Sequence, residues 1–121
     1  MGITVLLADS SASMRLVERT LLEKEHDIQV VGEAPDELNA LSLVNSLKPQ
    51  IVLADFNVRS PGKIFAKQVK SQNPKTMVLG VAELNGRYVK NFLRMFGVDE
   101  LLDRKDLETR LVVAVRFIAH A

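Results

Sequence analysis

The sequence predicts a single α/β domain built on a doubly wound, five-stranded parallel sheet. Three observations carry this expectation. Short apolar runs rich in branched residues recur five times, an amphipathic stretch follows each, and aspartates close two of the runs. An uninterrupted short apolar run suits a strand buried on both faces. Alternation of such runs with helical patterns suits a parallel sheet covered by helices on both sides. Right-handed crossovers then narrow the topology to a doubly wound sheet.

The first run is Ile3 to Ala8. Ser10, Ser11 and Ser13 follow and offer helix N-caps, and Met14, Val17, Leu21 and Leu22 continue at helical spacing. Ile28 to Val31 is the second strand, ending near Gly32. Pro35, Asp36 and Glu37 resemble a helix first turn, where proline is pre-set and carboxylates suit the dipole. Leu38, Leu41, Leu43 and Val44 form the apolar stripe of that helix, and Pro49 stops it.

Ile51 to Ala54 is the third strand, with Asp55 at its end. Ser60, Pro61 and Gly62 mark a loop, and Ile64, Phe65 and Val69 suggest a short helix. After Asn73-Pro74, Met77 to Val81 forms the fourth strand. Val89, Phe92, Leu93 and Phe96 line a fourth helix that Gly97 can terminate. Leu101-Leu102 is a weak fifth strand. Leu107, Leu111, Ala114, Val115 and Ile118 make a last amphipathic helix.

Bulk properties narrow the function. The 121 residues suit one domain, taken here as 1–121, and 47% hydrophobic residues supply one sizeable core. With no cysteine, disulfides and thiolate metal sites are excluded. Sixteen basic and 15 acidic side chains give a net charge of +1, too balanced to steer the chain onto nucleic acid or anionic lipid. The opening residues lack the basic flank of a signal peptide, and no apolar stretch is long enough to span a membrane. The expectation is a cytoplasmic domain with no direct nucleic-acid or membrane contact.

In a doubly wound sheet, ligands bind beyond the carboxyl ends of the strands. Asp9 and Asp55 stand there. With strand order 2-1-3-4-5, strands one and three are neighbours, and the two carboxylates share one crevice. Facing carboxylates raise a pKa or recruit a cation. A hard cation such as Mg²⁺ relieves the repulsion through oxygen ligands and retained waters. A carboxylate held there can also attack a phosphoryl group. Aspartate after a strand equally caps a helix or stabilises a turn, and Asp9 alone fits that reading too.

The segments VLLADS (5–10), DIQVVGEA (27–34), KPQIVLADF (48–56) and RYVKNFLRMFGVDELL (87–102) together resemble a response-regulator receiver domain. The likeness runs from about Ile3 to Ala119 and is similar to the subgroup often joined to a helix-turn-helix DNA-binding output. It implies a flavodoxin-like (βα)5 fold and a place in two-component phosphorelay signalling. By the resemblance, Asp55 matches the phosphoacceptor, Asp9 a metal-organising acid, and Asn57 the position whose backbone carbonyl contacts Mg²⁺. A histidine kinase or other signalling protein is the implied partner. The resemblance implies no enzyme in its own right.

The sequence departs from the family at several of these places. Ser10 replaces a second acid, so it can ligate metal only weakly or through water. Val81 replaces a switch hydroxyl and cannot donate the corresponding hydrogen bond. Leu101 replaces a switch aromatic. Arg104 matches the lysine after strand five, with Lys105 as its substitute if the register shifts by one; an arginine fork is not equivalent to an ammonium. The loop FNVRSPGK also departs from the family pattern.

Two readings follow, a phospho-accepting receiver or a pseudo-receiver that works through protein contacts alone. A small flavin-binding domain is a third.

Arg87, Lys90 and Arg94 form a basic stripe on the fourth helix, read either as a partner surface or as a solvated face. The resemblance implies that the fourth helix–fifth strand–fifth helix face can contact a partner or a second copy, as a homodimer. Lys63, Lys67 and Lys70, and the two histidines His26 and His120, read as surface residues.

Overall fold

The computed structural model describes residues 2–56, 65–84, 91 and 94–121. The chain runs β1 (Ile3–Ala8), α1 (Ala12–Glu23), β2 (Ile28–Ala34), α2 (Glu37–Leu47), β3 (Ile51–Asp55), α3 (Phe65–Gln72), β4 (Met77–Ala82), β5 (Glu100–Asp103) and α4 (Leu107–Ala119). A 3-10 turn over Arg104–Asp106 joins the last two. All four strand pairings are parallel and the order is β2-β1-β3-β4-β5, the flavodoxin-like arrangement the sequence predicts.

The strands alternate their side chains between two cores. Val5, Leu7, Ile51, Leu53, Leu79 and Val81 face α1 and α4, where Leu22, Leu111 and Val115 meet them. Leu6, Val52, Ala54 and Val78 face α2 and α3, where Val44, Phe65 and Val69 meet them. Each fully buried aliphatic or aromatic side chain contributes roughly 1.5–3 kcal/mol of transfer free energy.

Local chemistry sets the helix starts. Ser11, not Ser10, caps α1, its Oγ accepting from the Met14 N–H at 3.2 Å. Asp36 caps α2, accepting from the Asn39 N–H at 2.8 Å, so Pro35 precedes the cap rather than opening the helix. Lys48 closes α2 in a left-handed conformation (φ 47°, ψ 56°) ahead of Pro49.

Three further expectations need correction. The second strand does not stop near Gly32 but continues to Ala34. The register slips between Val5 and Leu6, which pair with Val30 and Gly32. A Cβ at Gly32 would lie 3.1 Å from Leu47 and 3.2 Å from Leu6, so this glycine accommodates close packing at a bulge and ends nothing. Val17 is exposed while Glu18 is buried, because Met14, Glu18 and Leu22 share one face at i, i+4, i+8. Leu38 is 80% exposed, and the buried positions of α2 are Ala40 and Val44.

The predicted fourth helix falls mostly outside the described residues, as do Val89, Phe92 and Leu93. Asn91, Arg94 and Met95 are helical, and Gly97 follows with φ +91°, its N–H donating to the Arg94 carbonyl at 3.3 Å. Ser60, Pro61, Gly62, Lys63 and Ile64 also lie outside. Lys70 pairs with Asp99 at 2.6 Å and Lys67 lies over the Phe96 ring at 5.6 Å, so both engage neighbours rather than solvent alone. His26 and His120 are exposed, as expected.

Candidate functional site

Ala8 pairs with Ala54, so the next residues, Asp9 just beyond β1 and Asp55 at the last position of β3, stand side by side at the same sheet rim. The sequence-predicted acids are therefore brought together at the carboxyl ends of β1 and β3. They share a cleft of about 230 Å³ with Ser10, Asp36, Glu37 and Phe56.

Asp9 is 5% exposed. Its Oδ1 accepts from the Ser11 N–H at 2.8 Å, a turn interaction two residues on. Its backbone carbonyl accepts from Arg15 Nη1, and its N–H donates to the Ala34 carbonyl at 3.1 Å. The other carboxylate oxygen, Oδ2, is buried with no hydrogen-bond partner among the described residues. Burial lifts the Asp9 carboxyl above its ordinary range; the Ser11 N–H opposes this, and the charge of Asp55 adds to it. Asp9 thus supplies a turn through one oxygen and leaves the other without a partner. Helix capping falls to Ser11, and the helix-cap reading of Asp9 is set aside.

Asp55 is half-buried and is held by Arg104, whose Nη2 donates to Oδ1 at 2.5 Å. The second arm of the guanidinium reaches Glu83 Oε1 at 3.2 Å, from the end of β4. Hydrogen bonding to Asp55 raises the Arg104 pKa further. The cation at this site is therefore Arg104. Lys105 has a side chain 78% exposed, and its Nζ lies 4.0 Å from Asp103, so it is not the group that meets Asp55.

Val81 pairs with Asp55 in the sheet and is fully buried, its carbonyl accepting from the Phe56 N–H at 2.8 Å. Leu101 is buried in the other core. A Cβ on Gly80 would lie 2.9 Å from the Phe56 ring and 3.2 Å from Leu101. The aromatic ring packed at this place thus comes from the residue after Asp55 and not from β5.

Ser10 is exposed at the cleft. Asn57, Arg87 and Lys90 lie outside the described residues. Arg94 is exposed and pairs with Glu100 at 3.4 Å.

Glu18 escapes a reading by charge alone. It is 1% exposed on α1, and its Oε1 has no hydrogen-bond partner among the described residues. Burial, together with the charges of Asp9 and Asp55, pushes its carboxyl up to about 8. The one signal in the sequence is its place four residues after Met14 and four before Leu22.

A resident metal fits this donor set in part. The unpartnered, buried Asp9 Oδ2 beside Asp55 suits a hard cation. Among the described residues no group of three or more acids or histidines could hold a metal. Two carboxylates with retained waters suit Mg²⁺ better than an all-protein cage.

A doubly wound sheet in the order β2-β1-β3-β4-β5, with paired aspartates at one rim and a cation from the end of β5, has the fold of response-regulator receiver domains. The receiver domain of the regulator NarL from Mycobacterium tuberculosis superposes with a TM-score of 0.90 at 25% identity, over 99% of this chain and 98% of that one. The response-regulator domain of Thermotoga maritima CheB superposes with a TM-score of 0.87 at 22% identity, over 100% and 98%.

In sequence the chain is similar to a protein-glutamate methylesterase/protein-glutamine glutaminase of Methanospirillum hungatei, 32% identical over 103 residues. That alignment covers 83% of this chain and 30% of the relative, so the chain spans less than a third of the relative's length. No family model matches the chain. Among the described residues, no helix is long and apolar enough to cross a membrane.

Proposed function

We propose that the domain accepts a phosphoryl group on Asp55 from a histidine kinase or a small phosphodonor, and thereby alters its contacts with a signalling partner. The observation that carries this reading is the juxtaposition at the β1/β3 rim: Asp55 gripped by Arg104 at 2.5 Å, beside a buried Asp9 with one unpartnered oxygen. An oxygen of the Asp55 carboxylate attacks phosphorus and forms the new O–P bond. The bond from phosphorus to the donor breaks, and the donor leaves with that electron pair.

Asp9 and Asp55, with the Asn57 backbone carbonyl and Ser10 acting through a water, would hold Mg²⁺. The metal would offset charge on the transferring oxygens. Arg104 adds a permanent positive charge next to the acceptor oxygen. Asp55 keeps an exposed fraction through which a donor can approach.

Incubation with a small phosphodonor and Mg²⁺, followed by intact mass, tests this. An added phosphoryl group is expected, and it is expected to vanish in Asp55→Asn. No adduct under any metal condition would overturn the reading.

A second reading has its own support. Val81 and Leu101 are buried apolar residues where a responsive hydroxyl and a mobile ring would stand, so neither can report a phosphoryl group in the usual way. A pseudo-receiver acting through protein contacts alone fits that chemistry, and the same mass experiment separates the two.

On either reading, Arg94 together with Arg87 and Lys90 is the candidate basic partner surface, including for a second copy of the domain. Reversing all three to glutamate is expected to abolish that association, and unchanged assembly would dispose of the surface. The esterase and glutaminase activities in the relatives' names are not proposed for this chain, because the alignment covers only 30% of the first of them.

A further inference from the structure

We propose that Arg104 is an internal counter-cation with two seats, and that Glu83 is a positioning residue that sets how tightly Arg104 occupies Asp55. The proposal rests on the reading of Asp9 and Asp55 as a cation-binding pair and says what regulates that pair.

Three strand ends meet in this contact. Arg104 opens the turn after β5, Asp55 ends β3, and Glu83 follows β4. The planar fork of the guanidinium gives one nitrogen to each carboxylate, Nη2 to Asp55 at 2.5 Å and Nη1 to Glu83 at 3.2 Å. The seats are unequal. The Asp55 side chain is 21% exposed, whereas that of Glu83 is 63% exposed and well hydrated. The inner contact is therefore less screened and stronger than the outer one.

An arginine cannot give up its proton near neutral pH. When a divalent cation approaches Asp9 and Asp55, Arg104 has no neutral form to adopt, so its charge opposes the cation less if the guanidinium leans toward its outer seat. Two positive charges on one carboxylate repel, and the nearest anionic seat already bonded to the same guanidinium is Glu83. Glu83 thus lowers the cost of releasing Asp55. Without it Arg104 rests on Asp55 alone, and the crevice is closed more firmly to a metal. Arg15 does not share this duty, since its guanidinium is engaged by the Asp9 carbonyl and by Glu33.

The test is calorimetric titration of the whole chain with Mg²⁺ alone, without a phosphodonor, on variants whose fold is checked by circular dichroism. Arg104→Met is expected to tighten Mg²⁺ binding by about tenfold, the scale of one charge contact at a partly exposed rim. Arg110→Met, which removes an equal charge from the exposed face of α4, controls for net charge. Glu83→Gln is expected to weaken binding a few-fold, and to do so only while Arg104 is present. In the Arg104→Met background, Glu83→Gln is expected to change nothing.

Equal weakening in both backgrounds would show that Glu83 attracts the metal by its own charge, which overturns the two-seat proposal. So would an Arg104→Met affinity equal to that of Arg110→Met, with Mg²⁺ still bound and lost in Asp9→Asn; the cation-binding pair would survive that result. No Mg²⁺ binding in any variant would overturn the proposal together with the reading on which it rests.

Discussion

The two faces of the sheet are built on different terms. The face under α2 and α3 is apolar and tightly fitted: Gly80 has no side chain because the Phe56 ring and Leu101 occupy its space. The face under α1 and α4 carries more aliphatic residues and yet encloses a carboxyl group, Glu18, between Met14 and Leu22. One face is specified by shape, and the other contains a charge-bearing group that lies within the electrostatic reach of Asp9 and Asp55. A perturbation of shape should therefore be felt on the first face, and a perturbation of proton occupancy on the second.

The largest expected effect comes from Glu18 and depends on pH. An unfolded glutamate releases its proton near 4.5, whereas Glu18 in the folded chain holds its proton up to about 8. Between those values the native state binds one proton more than the unfolded state. Stability from this group is thus full below about pH 4.5, falls as the pH rises, and is lost above about pH 8. Glu18→Gln keeps the shape without the titration. Urea unfolding is expected to find the variant within about 1 kcal/mol of the parent at pH 4.5 and more stable than it by roughly 3–5 kcal/mol at pH 9. Parallel stability curves for the two proteins would show that the buried carboxyl does not distinguish the faces.

Much of this organisation is legible in the sequence, and the parts that are not share one cause. The strands could be read because a parallel strand buried on both faces needs only an apolar run, such as Ile51 to Ala54. The paired aspartates could be read because strand order places β1 beside β3. Helix faces were harder. Val17 looks like core by its side chain and Glu18 like surface, but the helical repeat puts position 18 inside. Gly32 looks like a strand end because glycine often ends elements, yet here it permits the approach of Leu6 and Leu47.

The site shows the same division. The charge of Arg104 was evident, and so was its place after the fifth strand. Its fork between Asp55 and Glu83 was not, because that fork joins residues 49 and 21 positions away. A residue type can be read locally; a partner brought from another strand end cannot.

On the shape-specified face, Gly80→Ala should be costly although the change is one methyl group. The added Cβ would sit 2.9 Å from two atoms of the Phe56 ring, a distance that requires the ring to shift. Phe56 is 3% exposed and has little room to move. A loss of about 1–3 kcal/mol is expected, measured by chemical denaturation, with no change in the slope of the loss against pH relative to the parent. A neutral substitution would mean that this face tolerates volume changes and is not closely fitted.

The smallest effect is expected at Leu38, and it marks the outer boundary of that same face. By spacing, Leu38 belongs to the apolar stripe of α2 with Leu41 and Val44. If it did pack there, replacing it with glutamine would remove a buried aliphatic group and cost on the order of 2 kcal/mol or more. It is instead 80% exposed in the first turn of the helix, while Ala40 and Val44 fill the interface. Leu38→Gln removes little area that folding hides from water, and glutamine is nearly as good a helix former as leucine. The expected change is within about 0.5 kcal/mol. A loss several times larger, measured by urea unfolding, would place Leu38 inside the α2 face and redraw its border with solvent.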